Sequence, residues 1–196
     1  MTKLVFGVGF NDKTRPAKID GKNVKEYDLW HDMLKRCFSD KCQTRFPTYK
    51  GCNVSDNFLH YSFFYDWCQD QTGFGKVDEK GRYWQLDKDL LFADNKTYSE
   101  TTCVFVPQEI NSFFTDSGAA RGDYPLGVYF NKRDGKFQAQ CAVNGKIKHL
   151  GCFNTAEEAF NVYRPFKENL CKQLALKWES EIDPRLFNTM MNWSVQ

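Results

Sequence analysis

An acidic residue and an asparagine lie where a short strand and a short helix could bring them together. Asp87 follows a predicted strand over 83–86. Asn111 lies on a helix predicted over 108–114, because Pro107 suits the first turn of a helix and a second apolar strand precedes it. Carboxylate and amide oxygens, completed by water and a phosphate, commonly hold Mg²⁺ in phosphoryl-transfer sites. The order strand, loop, strand, helix therefore predicts a Mg²⁺ site that could polarise a scissile phosphate.

A second candidate site is a cationic, hydrogen-bonding stretch nearer the carboxyl end. Residues 127–150 contain five Lys or Arg and one acid, Asp134, although the net charge of the whole chain is only +2. A local cationic surface on a nearly neutral protein indicates a defined polyanion site. In the major groove Gln and Asn can pair with adenine and Arg with guanine, while Lys suits phosphate. The stretch predicts a DNA-reading surface; the alternative is that these are ordinary solvated strand residues.

Alternation and turn signals place this stretch on a small antiparallel sheet. Apolar and polar residues alternate along 136–143, which is the pattern of a half-buried strand. An Asp-Gly pair at 134–135 and an Asn-Gly pair at 144–145 are signals for tight hairpin turns. The predicted strands are 128–132, 136–143 and 147–153.

An amphipathic helix is predicted to follow the sheet and pack on it. Thr155 and Glu158 have the spacing of a capping box, and Ala159 and Tyr163 begin an apolar stripe. Pro165 would remove one helical hydrogen bond and costs about 3 kcal/mol in a helix interior. A kink or a break is therefore expected near 161–165.

Ahead of the acidic segment, apolar residues recur at helical spacing. Trp30 and Leu34 predict a helix over 25–38. Ser55 can cap a second helix over 56–69. Aromatic residues surround this second helix, which is typical of a helix buried on more than one side.

The C-terminal half contains, in order, GVYFNKRDGKFQAQ and HLGCFNTAEEAFNVY. It resembles the DNA-binding domain of plant APETALA/ethylene-response-factor proteins, which combines a GV opening, a KF-x-A core, an LG-x-F turn and a T-x-EEA helix start. In that family a three-stranded sheet lies in the major groove and the helix supports it from behind. The resemblance implies that the DNA-facing residues are Tyr129, Asn131, Arg133, Lys136, Gln138, Gln140 and His149. It also implies that Lys146 and Lys148 contact phosphate.

The N-terminal half contains, in order, GVGF, Y-x2-W-x2-ML-x-RCF, PTYKGC-x-V and LDKDLL-x3-NK-x-YS-x3-C-x-FVP-x2-IN. It resembles the HNH-type, homing-endonuclease-like proteins of bacteriophages, many of which carry an APETALA-like domain behind the nuclease. The resemblance covers most of residues 5–114. It implies a ββα-metal fold around 83–114, with Asp87 and Asn111 as ligands of Mg²⁺ or Mn²⁺ and as catalytic residues together with Lys88.

One position departs from the HNH pattern. Where that family has a histidine as general base, this chain has Lys88. A lysine with an ordinary pKa near about 10.4 is protonated at neutral pH and cannot accept a proton, although it can bind phosphate or stabilise developing charge. Asp89 or His60 could supply the base instead. Three interpretations stay open: an active site with altered chemistry, a metal site without turnover, or an inactive remnant.

Composition limits the remaining choices. No apolar run approaches the ~18 residues of a membrane span, and the first residues lack the long apolar segment of a signal peptide. The eight cysteines are expected to be reduced, which predicts a cytoplasmic protein, in the host cell if the chain is phage-encoded. A zinc site at Cys37, Cys42 and Cys52 is a weaker alternative. Residues 1–113 contain 16 basic and 16 acidic residues, so this half has no overall steering field.

The sequence therefore predicts an α+β protein of two domains. An HNH-endonuclease-like domain over 1–114 has a ββα-metal core with flanking helices, and a linker spans 115–124. An APETALA-like domain over 125–196 has a three-stranded antiparallel sheet packed on a helix, followed by a helical tail expected to fold back on that sheet. The expected function is Mg²⁺-dependent DNA cleavage or nicking; the alternative is a non-catalytic, sequence-specific DNA-binding or regulatory protein. The expected partner is double-stranded DNA, with no membrane and no nucleotide cofactor.

Overall fold

The protein has a mixed α+β fold with small sheets, as predicted at the level of fold class. This architecture comes from a computed structural model. The residues that the structure describes are 3–115, 123–143 and 145–195. Within these ranges, no helix combines the length and the apolar character that crossing a bilayer requires.

The chain divides into two compact units. The first comprises the residues up to Asn111 together with Ser180–Leu186, and the second comprises Ser112–Glu179 and Phe187–Gln196. The chain thus first passes from one unit to the other after Asn111, and Ser180–Leu186 of the C-terminal tail belongs to the first unit. Within the predicted linker, residues 116–122 lie outside the described residues.

Short strands and helices build the first unit. Its strands are β1 (Lys18–Ile19), β2 (Lys22–Asn23), β3 (Asn53–Val54), β4 (Gln85–Asp87), β5 (Thr97–Tyr98) and β6 (Val104–Val106). Its helices are α1 (Lys25–Phe38), α2 (Asp40–Arg45), α3 (Asp56–Leu59), α4 (Tyr61–Gln69) and the start of α5 (Gln108–Phe114), with a 3-10 turn at Pro47–Tyr49. Helix α1 has the bounds predicted from its apolar spacing.

The helix predicted over 56–69 is two helices, because the chain is extended at His60 (φ −92°, ψ 117°). Phe10 causes the break. Its amide nitrogen donates to the Leu59 carbonyl oxygen at 2.8 Å, and its carbonyl oxygen accepts from the Tyr61 amide nitrogen at 2.9 Å. These backbone bonds replace helical ones. The Ser55 hydroxyl caps α3 as predicted, accepting from the Phe58 amide nitrogen.

The candidate metal segment is strand, loop, strand, helix in the structure. Strand β4 pairs antiparallel with β6, so that Asp87 is opposite Val104, and α5 follows directly. The loop between the two strands contains β5, which was not predicted. It pairs parallel with β3. Residues Val104–Val106 are fully buried, and this apolar strand anchors the segment in the core of the unit.

An aromatic core supports this segment. Trp30, Phe58, Tyr61 and Phe64 are fully buried, and the Trp30 indole nitrogen donates to the Phe58 carbonyl oxygen at 2.8 Å. The Trp67 ring links them to Phe105 on β6, at 5.9 Å between ring centroids. The aromatic residues of the predicted second helix therefore act in packing, and they fix α1 and α4 beneath the β4–β6 pair.

The second unit contains an antiparallel sheet in the order β7 (Val128–Asn131), β8 (Lys136–Val143) and β9 (Lys146–Phe153). Helix α6 (Ala156–Trp178) follows, and α7 (Pro184–Met191) begins in the first unit and ends in the second. The buried residues between sheet and helix are Val128, Ala139, Cys141, Ala159, Tyr163 and Val195. Both hydrogen bonds of the predicted capping box form at the start of α6, between Thr155 and Glu158.

The break expected near Pro165 is wrong, because α6 is one continuous helix from Ala156 to Trp178. Pro165 and Asn161 are both exposed. The carbonyl group of Asn161, which loses its helical partner to the proline, can therefore be hydrated. Apolar packing of the opposite face, through Ala159, Tyr163 and Cys171, stabilises the helix on both sides of the proline.

Candidate functional site

A cleft of about 770 Å³ in the first unit contains the predicted metal residues. Asp87 at the end of β4 and Asn111 on α5 both line it, as do Lys88 and Asp89. The face of α1 from Lys25 to Arg36 also lines it. The end of the strand and the helix therefore both contribute residues to this cleft.

Asp87 is held rigidly at the end of β4. Its Oδ1 atom accepts from the amide nitrogens of Asp89 and Leu90, each at 2.9 Å. Burial, and next the negative charge of Asp89, raise the pKa of Asp87 to about 6. The surroundings of Asp87 thus disfavour its ionised form, and a bound cation would offset this effect.

Lys88 is buried in spite of its charge. Only 8% of its side chain is exposed, and its Nζ donates to Asp89 Oδ2 at 2.7 Å. Burial favours the neutral amine, but the hydrogen bond to Asp89 and the negative charge of Asp89 together outweigh it and raise the pKa of Lys88 above its ordinary value. Lys88 therefore stays protonated at neutral pH and cannot act as the general base.

Of the two other candidates for the base, Asp89 lies at the cleft. Burial disfavours its charge, but hydrogen bonds with Lys88 and Asp87 outweigh that effect and hold the pKa of Asp89 below its ordinary value. His60 stands between α3 and α4, with its ring edge-on to Phe10 at 5.6 Å, and is not among the described residues that line the cleft.

Asn111 and the loop after β4 are fixed by amide side chains. Asn111 Nδ2 donates to Gln85 Oε1, and Gln85 Nε2 donates to Gln108 Oε1 at 2.6 Å. Asn95 closes the loop by donating from Nδ2 to the carbonyl oxygens of Lys88, at 2.5 Å, and Thr97, at 2.8 Å. Because Asn111 Nδ2 donates to Gln85, the side-chain atom of Asn111 that could be a metal ligand is Oδ1.

Sequence reasoning missed the contribution of α1. Lys25, Asp28, Asp32 and Arg36 line the cleft at intervals of three or four residues. Arg36 donates from Nη1 to the Tyr98 hydroxyl at 3.4 Å. The signal was available, since charged residues at this spacing share one face of a helix, but nothing in the sequence showed that this face meets β4.

A divalent cation in this cleft would be held mainly by oxygen from solvent and substrate. Within the described residues, no group of three His, Cys, Asp or Glu could hold a metal ion, and Cys37, Cys42 and Cys52 are free thiols. A cation at Asp87 would therefore depend on Asn111, water and phosphate oxygens, as Mg²⁺ sites commonly do. Burial and the second carboxylate, Asp89, raise the pKa of Asp87. A cation bound there would stabilise the ionised carboxylate and lower that pKa.

The raised pKa of Asp87 predicts a change of stability with pH in the absence of divalent cations. Its carboxyl titrates at about 6 when folded, against about 3.9 in an unfolded chain. The folded state therefore binds this proton more tightly than the unfolded chain. The resulting stabilisation is complete below about pH 4 and is lost as pH rises through 6. Asp87→Asn keeps the Oδ1 acceptor without the charge. Near pH 7 its free energy of unfolding in urea should be about 1–2 kcal/mol higher than that of wild type, a range that allows for solvent screening. Near pH 4 the two free energies of unfolding should be nearly equal.

The control is Asp20→Asn, which changes an exposed carboxylate in the β1–β2 turn. It controls for the removal of one acidic charge at an exposed position. An Asp87→Asn difference that stays constant from about pH 4 to 7 would show that this carboxyl does not titrate at a raised pKa.

The second unit places most of the predicted DNA-facing residues on one side of its sheet. Cross-strand partners share a face, and the ladder pairs Tyr129 with Gln138, Asn131 with Lys136, and Gln140 with His149. We call these six residues the polar face. A register shift between Ala139 and Gln140 brings His149, rather than Leu150, opposite Gln140. The core residues Val128, Ala139 and Cys141 lie on the other side.

Three of the residues predicted to contact DNA are placed differently. Lys148 is opposite Cys141 and Lys146 is opposite Val143, so both lie on the helix side of the sheet. Lys148 Nζ is 4.9 Å from the centre of the Phe166 ring on α6. Arg133 is in the β7–β8 turn and forms an ion pair with Asp134 at 2.8 Å. The period of two along β9 is why its lysines and His149 cannot share one face.

The polar face is partly preorganised. Gln140 Nε2 donates to Gln138 Oε1 at 3.1 Å, and Lys136 is hydrogen-bonded to Asn154. His149 Nε2 is 3.5 Å from the sulfur of Cys152, an exposed cysteine. Tyr129 is 49% exposed. A flat surface of amide, imidazole, ammonium and phenol groups can donate to and accept from the edges of bases.

The chain matches no family model, no curated protein and no solved structure with which it was compared. The functional interpretation therefore depends on the residues and the geometry described above.

Proposed function

We propose that the protein is a DNA-binding endonuclease or nickase of the HNH type, which hydrolyses phosphodiester bonds with Mg²⁺ or Mn²⁺. The observation that carries the proposal is that Asp87 and Asn111 line the same cleft of the first unit. They come from the strand and the helix of an antiparallel strand pair followed by a helix. This is the order that the resemblance to HNH proteins implies.

Four polar residues of the cleft have a role in this proposed reaction. Asp87 and Asn111 would hold the ion, which when bound supplies Lewis-acid polarisation of the scissile phosphate. Lys88 is protonated and suits the negative charge that develops on the phosphoryl oxygens. Asp89 positions Lys88 through their hydrogen bond and, being ionised, is a carboxylate that can accept a proton from the attacking water.

The second unit supports DNA as the substrate. Its polar face presents Tyr129, Asn131, Lys136, Gln138, Gln140 and His149 on a three-stranded sheet. In this proposal the sheet selects the duplex and the cleft of the first unit cuts it. Since Lys146 and Lys148 lie on the other side of the sheet, they would reach only phosphates at its edge.

A plasmid-nicking assay tests the proposal. Purified protein with Mg²⁺ or Mn²⁺ should convert supercoiled plasmid to the open circular or linear form, and EDTA should stop the conversion. Complete inactivity with both ions, in protein that binds duplex DNA, would contradict the enzymatic function.

That outcome would favour the second candidate, a non-catalytic DNA-binding or regulatory protein that retains the scaffold. The observation in its favour is Lys88, which stands in the place of the histidine and is buried against Asp89. A protonated lysine cannot take the proton of a water molecule. The two candidates share the DNA-binding sheet and differ only in turnover.

Substitutions on the polar face separate phosphate contacts from base contacts. Lys136→Ala should weaken binding to all duplexes alike and lower the slope of log affinity against log salt by about one unit or less. Gln138→Ala should instead change the preference among bases by about 1–3 kcal/mol, because a bidentate amide discriminates between base edges. Fluorescence anisotropy with a panel of labelled duplexes measures both effects.

The matched control is Lys172→Ala, which removes an exposed charge from α6 in the same unit. It should leave both affinity and salt slope nearly unchanged. Equal losses for Gln138→Ala on every duplex would show that this residue does not read bases. A Lys172→Ala effect as large as that of Lys136→Ala would show that binding follows net charge and not the polar face.

A further inference from the structure

Lys25 carries an unusual buried charge in the cleft. It is the first residue of α1, and its side chain lines the cleft. Its Nζ atom is buried and, among the described residues, has no hydrogen-bond partner. The ammonium instead lies 3.7 Å from the centre of the Tyr83 ring and 5.2 Å from that of Phe74.

Two aromatic rings cannot replace the acceptors that an ammonium group needs. A lysine ammonium has three N–H donors and no acceptor. Burying it without an acceptor is costly, and cation–π contacts offset only part of that cost. A ligand that brings a hydrogen-bond acceptor into the cleft would therefore satisfy this ammonium group.

Each of the other two cations that line the cleft has a side-chain hydrogen-bond partner. Lys88 donates to Asp89, and Arg36 donates to the Tyr98 hydroxyl. The cleft is also lined by the carboxylates of Asp28 and Asp32, which repel an anion. Among the described residues of the cleft, Lys25 is therefore the cation whose ammonium is buried without a hydrogen-bond partner, and an anionic ligand would be drawn to it.

Tyr83 narrows the class of ligand. The Lys25 ammonium stands over its ring, yet 58% of the residue is exposed. An exposed aromatic ring suits stacking of a nucleobase, and an ammonium suits the oxygens of the adjoining phosphate. The two residues together match one nucleotide unit of a strand.

We propose that Lys25 binds a phosphate group of a nucleic-acid strand in the cleft, with the base of that nucleotide stacked on Tyr83. This inference rests on the proposed function, since it assigns the substrate contact that positions the strand beside Asp87. Lys25 is in this view a substrate-binding residue, and it does not transfer a proton in the reaction.

The test uses two probes too small to span the sheet of the second unit: inorganic phosphate and a 5′-phosphorylated dinucleotide. Binding is followed by the fluorescence of the full-length protein at constant ionic strength, because Tyr83 and Trp84 line the cleft. Lys25→Met should weaken the binding of both probes about 10-fold or more. Lys25→Arg should restore part of the affinity. Tyr83→Ala should weaken the dinucleotide but not inorganic phosphate.

The matched control is Lys35→Met, which removes an exposed lysine from the same helix, outside the cleft. It should not change the affinity for either probe. Thermal denaturation of Lys25→Met should show a midpoint at or above that of wild type, because the substitution removes a buried charge and keeps the length of the side chain. Equal affinity of wild type and Lys25→Met, or no binding of either probe to wild type, would overturn the inference.

The result is separable from the proposed function. Phosphate binding that depends on Lys25, in a protein that never nicks plasmid, would support the inference and contradict the endonuclease. Nicking that depends on Asp87, with probe binding indifferent to Lys25, would support the endonuclease and overturn the inference.

Discussion

Replacement of Asp87 by alanine is expected to lower the rate of Mg²⁺-dependent plasmid nicking by more than about 100-fold. Removal of residues that merely orient metal ligands lowers activity about 10- to 100-fold, and a ligand itself should matter more. Affinity for duplex DNA should be unchanged, because we propose that the polar face of the second unit binds the duplex. Nicking rates and anisotropy titrations on the same preparations separate the two effects.

The alanine variant also loses a structural contact, so a second variant is needed. Asp87 Oδ1 accepts from the amide nitrogens of Asp89 and Leu90, and alanine leaves both without this acceptor. Asp87→Asn retains the oxygen, and it should fold with at least the stability of wild type near neutral pH while being as inactive as the alanine variant. Asp20→Ala, at an exposed carboxylate, should nick like wild type. Wild-type nicking by Asp87→Asn would exclude a charged metal ligand at this position.

Replacement of Gly127 by alanine is expected to destabilise the second unit by about 2–5 kcal/mol. Gly127 has a φ of +75°, a conformation that costs a residue with a side chain about 1–2 kcal/mol. A Cβ atom there would also overlap the ring of Tyr163, whose buried packing joins α6 to the sheet. The sheet should open at this point, and duplex binding should be lost together with the stability.

Gly135 offers the matched control. It has a φ of +60°, but a Cβ atom there would meet nothing within 4 Å. Gly135→Ala should therefore lose only the conformational term of about 1–2 kcal/mol. Urea unfolding of the two variants, followed by fluorescence, gives the difference. Equal losses would show that the overlap with Tyr163 is relieved without cost.

Local signals predicted the second unit well because its structure is locally encoded. Thr155 and Glu158 form their capping box within four residues of chain, and strand β8 has the bounds that alternation predicts. The position of Lys148 was not locally encoded. Its phosphate contact was implied by the family resemblance, and the register of β9 against β8 places it opposite Cys141.

Long-range contacts explain what the sequence left open. The break at His60 depends on Phe10, fifty residues earlier in the chain. The continuity of α6 through Pro165 depends on the packing of its buried face. Lys25 had no motif to mark it, and its unpartnered ammonium is visible only when α1 is placed against Tyr83.

The protonation of Lys88 shows how the site itself depends on tertiary structure. From the sequence, Lys88 could have been a neutral base if its surroundings lowered its pKa. The neighbouring Asp89, which folds back to accept its hydrogen bond at 2.7 Å, decides against that. The nicking assay separates altered catalysis from the two inactive alternatives, metal binding without turnover and an inactive remnant.

The central claim is that the sheet of the second unit binds double-stranded DNA through its polar face. The most direct measurement is an anisotropy titration of a labelled duplex with the full-length protein and with Lys136→Ala, at low and at moderate salt. The account predicts saturable binding that weakens with salt and weakens further in the variant. A wild-type protein that leaves the duplex unbound at low salt would contradict it.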